Sequence, residues 1–538
     1  SHAEDEESWL RCTTALKSLS QAANNKFLLV KSEAVQVVIK VLVNQQKNVQ
    51  TSLTEKNCIN FLCNLLEDAR CRKYAIEKEA VHALLPSLRT QSEEVMETIS
   101  SILYTLCGDH KSRVSVSSEE ALIAFLAMAE LGGPQAQARA SAALSVLAGK
   151  ESSRGMMVRL ADKVFHVLGT LLQCPGTSTK RYATICLAYL AHETDVHLRI
   201  AQDCVSSLVS LASSQDRETK IWLCALLCKI SFSEPAAVKM CQSGACIAIS
   251  LLSRLEDPNT EMRCSVTLCN ISAFSACRSR MLQDQAVVTT LALSSSHFEE
   301  TRLNCVKVIC NLACTPGAEV ELMKQQVLPE LMIISLVRAN TAKTKVVCAA
   351  AMVNMLVENT ASEMVKEGLI WCLTQLATLP SELLEKAAAS AFATIVETDE
   401  SRATLIESDK GINSLMSLMR TDSRKTRELC WQTFGRICLE NCQERLVQEG
   451  VLGVLTELVA GDDYMLKRNS GAILALLTSD KTTRSSIVHD SMKLLVALSS
   501  DSGNEPARQF CSDALYALSK DLNTRAVIVD HGILRVMS

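Results

Sequence analysis

The sequence predicts an all-α solenoid of tandem repeats, and three observations carry that prediction: a short apolar signature around asparagine returns at a nearly fixed interval, each interval repeats the same succession of helical patterns, and the composition suits helices packed on helices. The signature reads "FLCNLLED" at 61–68, "VTLCNISA" at 266–273, "VICNLACT" at 308–315 and, weakened, "AMVNMLVE" at 351–358. Aligning the hydrophobic frame on Asn64 puts Thr105, Val146, Tyr189, Lys229, Asn270, Asn311, Asn354, Thr394, Arg436, Ala475 and Ala517 at equivalent places. Their separations are 41, 41, 43, 40, 41, 41, 43, 40, 42, 39 and 42 residues. Unrelated domains do not recur so evenly, whereas a stacked array does. Ser18, in "LRCTTALKSLSQ", extends the series by one unit.

The elements of a unit follow in order. A short segment such as "CQERLVQEG" (442–450) leads into an apolar helix such as "VLGVLTELVAG" (451–461). After a polar turn, a longer helix such as "YMLKRNSGAILALLTS" (464–479) carries apolar residues at three-and-four spacing and ends the unit. Gly244, Gly368, Gly411, Gly450 and Gly532 recur at the corner between the first two helices, where a sharp change of direction favours a residue without Cβ. Pro258 and Pro329 mark other corners. The expected organisation is a partial repeat at 1–23, tandem repeats over 24–520 and a partial repeat at 521–538, about 12–13 units in one solenoid spanning 1–538. The closing "HGILRVMS" reads as a second helix lacking its third, so the chain is expected to be an excerpt of a larger protein.

Composition limits the function classes. Aromatics are only 4% of the chain, and 18 Gly with 9 Pro leave little room for a β-rich or disordered protein. A net charge of −4 argues against a dedicated nucleic-acid binder. The basic turns "STKR" (178–181) and "SRKTRE" (423–428) read as repeat edges. The 24 cysteines are spread through amphipathic helices, neighbours such as Cys224 and Cys228, Cys264 and Cys269, or Cys305, Cys310 and Cys314 lie too close along one helix for bridging, and most read as small buried hydrophobes in a reducing compartment. No apolar run is long enough to span a bilayer. The expected home is cytoplasmic, with nucleocytoplasmic and cytoskeletal or ciliary association compatible.

No catalytic signature stands out: there is no G-x-S-x-G, no phosphate-binding glycine loop and no dinucleotide fingerprint. In "HETDVH", His192 and His197 are five apart rather than four, which helical phase places on different faces, and the stretch reads as a solvated inter-repeat turn. The expectation is a non-enzymatic chain without cofactor, metal or small-molecule substrate.

Three helices per unit at this period, with "EGVLGVLTELV", "QQVLPELMIISL" and "ASAALSVLAG", resemble the armadillo repeat over nearly the whole chain. HEAT repeats are the close alternative, but those have two helices. The resemblance implies a right-handed superhelix with one continuous core and a concave surface made by the third helices. Packed helices lie about 8–10 Å apart and an extended peptide advances about 3.3 Å per residue, so one repeat serves about three peptide residues. An Asn amide, both donor and acceptor, can hold a peptide backbone without reading its side chains. The resemblance carries the role of an asparagine ladder, as in importin-α and β-catenin, to Asn64, Asn270, Asn311 and Asn354. The competing reading is that such an Asn bonds the backbone of a neighbouring repeat.

Residues four and seven before the ladder position project along the same helix face. They add Asn57 and Asn60, Trp222 beside Lys229, Arg263, Asn304 with Lys307, Gln432 beside Arg436, and Arg468. The stretch from Trp222 to Asn354 is polar and moderately basic, which suits an acidic or phosphorylated extended segment. Packing between repeats is the competing role for Trp222, as for Trp371 and Trp431. Importin-α places Trp four before each ladder Asn in most repeats. Here those positions hold Asn60, Ser101, Val266, Lys307 and Ala350, so the nuclear-import adaptor is rejected. The expected function is a protein-interaction scaffold with a protein or peptide partner and no nucleic acid or membrane insertion. The alternatives are the regulatory or substrate-recruiting arm of an enzyme whose catalytic domain lies outside this chain, and a structural bridging or myosin-chaperone-like armadillo protein; self-association through the solenoid ends is also compatible.

Overall fold

The computed structural model describes residues 2–45, 52–90, 92–440, 442–461, 463–499 and 503–530. The described residues hold 36 α-helices and no strand. Contacts divide the chain into two units, Ser1–Thr289 and Thr290–Ser538.

In the first unit the helix His2–Gln21 is followed by repeats whose third helices are Leu53–Glu67, Glu93–Gly108, Pro134–Ala148, Thr177–Leu190, Arg217–Ile230 and Pro258–Ala273. Each of these packs on the next in chain order. In the second unit the row is Glu299–Ala313, Ala342–Met355, Glu382–Ile395, Arg424–Ile437, Tyr464–Ser479 and Glu505–Ser519, again packed successively. First and second helices form parallel layers of their own, so each unit is a helical stack of the solenoid kind.

Local chemistry sets the boundaries. A side-chain oxygen just before the third helix often accepts an amide of the first turn: Ser52 from Glu55, Asp216 from Thr219, Asp257 from Thr260 and Thr341 from Thr344. Such a cap stabilises a helix by about 1 kcal/mol. The corner before the second helix is left-handed at Gly244, Gly368 and Gly450, with φ of 84°, 100° and 88°. Glu79, Gln285 and Gln326 adopt the same conformation at φ of 61°, 60° and 56° in other repeats. Gly411 departs from the expected corner role. It lies inside the helix Asp409–Leu418, where a Cβ would meet Leu405 Cδ1 at 2.8 Å, so close packing is what selects it. Gly532 and the stretch 531–538 lie outside the described residues.

Two repeats depart from the three-helix pattern. One has only the 3-10 turn Arg113–Val116 before Glu119–Leu131. In the last, the first two helices merge into Arg484–Ser499, where no glycine breaks the run.

The cores are aliphatic, with Phe61, Phe125, Phe165, Phe392 and Phe434 as the largest fully buried side chains. All 24 cysteines are free thiols and 18 are buried. Burial pushes the Cys58 and Cys430 thiols up to about 12. Two buried thiols on neighbouring third helices, Cys224 and Cys264, face each other with sulfurs 3.5 Å apart, a cross-repeat approach that spacing within one helix does not reveal.

A side chain entering the first helix closes most third helices. Arg72, Arg113, Arg154, Arg278, Arg402, Arg484 and Arg525 each donate to a carbonyl five or six residues back. Those carbonyls lack intrahelical partners and are where a cation is favoured. His197 takes this place in its repeat, with Nε2 3.0 Å from the Ala191 carbonyl oxygen, and is 5% exposed. The expected solvated turn is thus corrected for His197: it is a buried helix closure.

Candidate functional site

All twelve ladder positions fall in third helices, and none is buried. The register read from the asparagines therefore marks one continuous non-core stripe within each unit.

In the first unit Asn64 Nδ2 donates to Ser20 Oγ at 2.9 Å, and Asn270 Nδ2 donates to Ser231 Oγ at 2.9 Å. Ser20 and Ser231 are fully buried, and each hydroxyl is itself turned onto a carbonyl of its own helix, Lys17 or Cys228. Each serine stands two residues beyond the ladder position of the preceding repeat. The amide donor is thus committed to holding repeats together, through a serine side chain rather than the backbone partner of the competing reading, while each asparagine stays half-exposed. In the second unit Asn354 occupies the same station, but Ala313 stands where the serine would be. Its Nδ2 reaches the Cys310 carbonyl oxygen at 3.5 Å and Cys314 Sγ at 3.2 Å. Asn311 is half-buried in Glu299–Ala313. The serine two places on was the sequence signal that sorted Asn64 and Asn270 by role, and it lay outside the four-and-seven rule.

That rule fails at two places. Asn57 and Asn304 are only 3% and 7% exposed, so neither lines a groove. Seven residues fall about 20° short of two turns of about 3.6, so the offset keeps nearly the same face, and it is the neighbouring helix that covers Asn57 and Asn304 while Trp222, Arg263 and Arg468 at the same offset are not buried. Asn57 Nδ2 donates to Thr14 Oγ1 at 2.9 Å. Asn60 stays half-exposed and bonds the Lys56 carbonyl oxygen of its own helix. Together with Asn64, Glu97, Ser101 and Arg139 it lines a polar cleft of about 320 Å³ across three third helices.

The densest arrangement in the first unit surrounds Lys229. Its Nζ donates to the Ala188 carbonyl oxygen at 2.9 Å and lies 2.7 Å from His192 Nε2. Burial first, then the nearby Arg263 and Arg154 charges, pushes the Lys229 ammonium below its ordinary range. His192 is likewise lowered, by burial and then by Lys229 and Arg154. Trp222 is half-buried, its ring centroid 5.5 Å from that of Tyr189, which itself stacks on His192. Among the described residues neither Lys229 nor Arg263 has a carboxylate within ion-pair distance, whereas Arg154 pairs with Glu193 at 3.1 Å.

In the second unit Lys307 is half-buried on Glu299–Ala313, also without a carboxylate partner among the described residues. Gln432, Arg436 and Arg468 are exposed, and Arg436 is ion-paired with Glu397. Trp431 is 7% exposed and packs between helices, while Trp371 is 49% exposed on the second helix Leu369–Ala377, against the packing role considered for it. The basic turns do serve repeat edges: Arg181 forks onto Asp216 at 2.7 and 2.8 Å, and Arg427 bonds the Thr421 and Asp422 carbonyls. Among the described residues no single helix is long and apolar enough to cross a membrane.

No family model matches the chain, and no curated protein matches it. Among solved structures, a crystal structure of an engineered protein from the Northeast Structural Genomics Consortium aligns over 74% of this chain and 98% of its own, with 19% identity and a TM-score of 0.51. The UNC-45 chaperone, reported for features critical to binding and folding muscle myosin, aligns over 93% of this chain but only 64% of its own, with 16% identity and a TM-score of 0.45. The first likeness bears on fold alone, and the second is too distant to bear on anything further. The class defined by the helices and their stacking is an all-α helical-repeat solenoid.

Proposed function

We propose that this chain is a non-enzymatic, armadillo-type scaffold that holds an extended acidic or phosphorylated segment of a partner protein against its third helices, acting in the cytoplasm. The observation that carries this reading is the Lys229 and Arg263 pair. Two cations on neighbouring third helices, one of them desolvated, stand without a carboxylate partner among the described residues, beside the rings of Tyr189 and Trp222. Like charges kept together and half out of water disfavour each other until an anion arrives, so an anionic ligand relieves a strain that the free protein carries. Asn270, one helix over, offers its carbonyl oxygen to a peptide N–H while its amide stays on Ser231.

The test is fluorescence anisotropy with a labelled Glu- and phosphoserine-rich peptide, against its lysine counterpart. The acidic peptide should bind and weaken with added salt. Lys229→Glu/Arg263→Glu should cost at least about tenfold in affinity, the loss expected from one charge-assisted hydrogen bond. Circular dichroism checks that the fold is kept. Equal affinity in wild type and variant, or preference for the lysine peptide, sinks the reading.

A further inference from the structure

The first unit carries a second concave surface, and none of its lining residues belongs to a third helix. It is a trough of about 480 Å³ between the second helix Ala80–Leu84 with its 3-10 continuation Leu85–Thr90, and the second helix Glu119–Leu131 of the next repeat. The sequence explains why it is there. Pro86 has no N–H to continue an α-helix, so the chain tightens into a 3-10 turn. In such a turn side chains three apart eclipse, which aligns Leu85 and Leu88 as one wall. The other wall is the stripe Ile123, Ala127 and Leu131, spaced four apart on one face of a helix. Ala124 and Ala127 keep the floor low.

That stripe is of the kind helices normally bury, yet Ile123 and Leu131 are 41% and 54% exposed. Glu120 on this helix and His82 on the opposite wall are the titratable residues that line the trough. The helix "EEALIAFLAMAEL" contains Glu119, Glu120 and Glu130 and no Lys or Arg, and all three acids are exposed. Its own backbone amide and the Ser118 hydroxyl hold Glu120 below the ordinary carboxylate range, so it stays charged. An apolar trough bounded by two helical ridges is complementary to a third ridge laid along it, and the exposed acids of Glu119–Leu131, with no Lys or Arg beside them on that helix, favour basic flanks on that ridge.

We propose that this trough docks a cationic amphipathic helix of a partner protein, its apolar stripe seated on Ala124 and Ala127 and its Lys or Arg flanks meeting Glu119, Glu120 and Glu130. This occupant is independent of the acidic segment assigned to the third helices, and opposite to it in charge.

The experiment uses the whole chain and two labelled probes, an amphipathic helix of leucine and lysine and its leucine and glutamate counterpart. The lysine helix should bind wild type. Ala127→Trp, which fills the trough, should weaken it at least about tenfold, the loss of roughly one or two buried aliphatic contacts. Ile123→Gln/Leu131→Gln, confined to exposed side chains, should do the same if Ala127→Trp disturbs folding. Glu119→Lys/Glu120→Lys should invert the preference between probes, and Lys229→Glu/Arg263→Glu should leave the lysine helix unaffected. Equal binding by wild type and both trough variants overturns the proposal, as does preference of wild type for the glutamate helix. A concentration-dependent dimer abolished by Ala127→Trp would assign the trough to a second copy of this chain and overturn it too.

Discussion

Arg484→Met tests whether arginine closure holds the repeats together. Arg484 is 8% exposed at the start of Arg484–Ser499. Its Nε donates to the Thr478 carbonyl oxygen at 2.9 Å and its Nη2 to that of Ser479 at 2.8 Å, while Thr483 Oγ1 serves Leu477 at 2.8 Å. Methionine keeps most of the apolar stem and removes both bonds. A bond from a charged donor contributes about 1.5–3 kcal/mol, and removing the guanidinium also removes its own desolvation cost, so a net loss of about 3 kcal/mol is expected. In a repeat array that loss stays local to the repeats that share the closure. Hydrogen exchange should therefore speed up by about 150-fold for amides in Tyr464–Ser479 and Arg484–Ser499, and remain unchanged in Pro258–Ala273. Arg484→Lys, which keeps the charge but not the fork, should recover less than half. A change below about 0.5 kcal/mol, or one spread evenly along the chain, would refute the reasoning.

Two further outcomes are expected. His192 titrates below the ordinary value of 6.5 because burial and Lys229 disfavour its charged form, and an anion bound beside it favours that form. Binding of the acidic peptide should thus take up a proton and strengthen as pH falls from about 7.5 to about 5.5, with His192→Gln flattening the profile in anisotropy titrations. Gly368→Ala should lower the melting temperature through a cost of about 1 kcal/mol at φ of 100°, whereas Gly453→Ala, inside Val451–Val459 with open space around the added methyl, should raise it by a comparable amount.

Periodicity made the helices legible because burial is what periodicity records: the segment read as 464–479 is the helix Tyr464–Ser479. The merged helix Arg484–Ser499 was not legible, since a corner is visible in sequence only where glycine marks it. The arginine closures were invisible for another reason. Their partners are backbone carbonyls, which no residue type announces, although arginine does recur eight residues after Asn64, Thr105, Val146, Asn270, Thr394 and Ala517. At the candidate site, the ladder register carried over because it needs only helix phase. The burial of Asn57 and Asn304 was not legible, because how far a neighbouring helix covers a given face is set by stacking and not by phase: Arg468, at the same offset, is exposed.

The corner before the second helix has a consequence for how such a chain can drift. Gly244, Gly368 and Gly450 share their left-handed backbone with Glu79, Gln285 and Gln326, so the angle outlives the residue that accommodates it most cheaply. Each side chain there strains the corner by about 1 kcal/mol, a burden that neighbouring repeats absorb by stacking. Spelling can then diverge from repeat to repeat while the bend persists, and kinship among the repeats is better sought in dihedral angles than in letters.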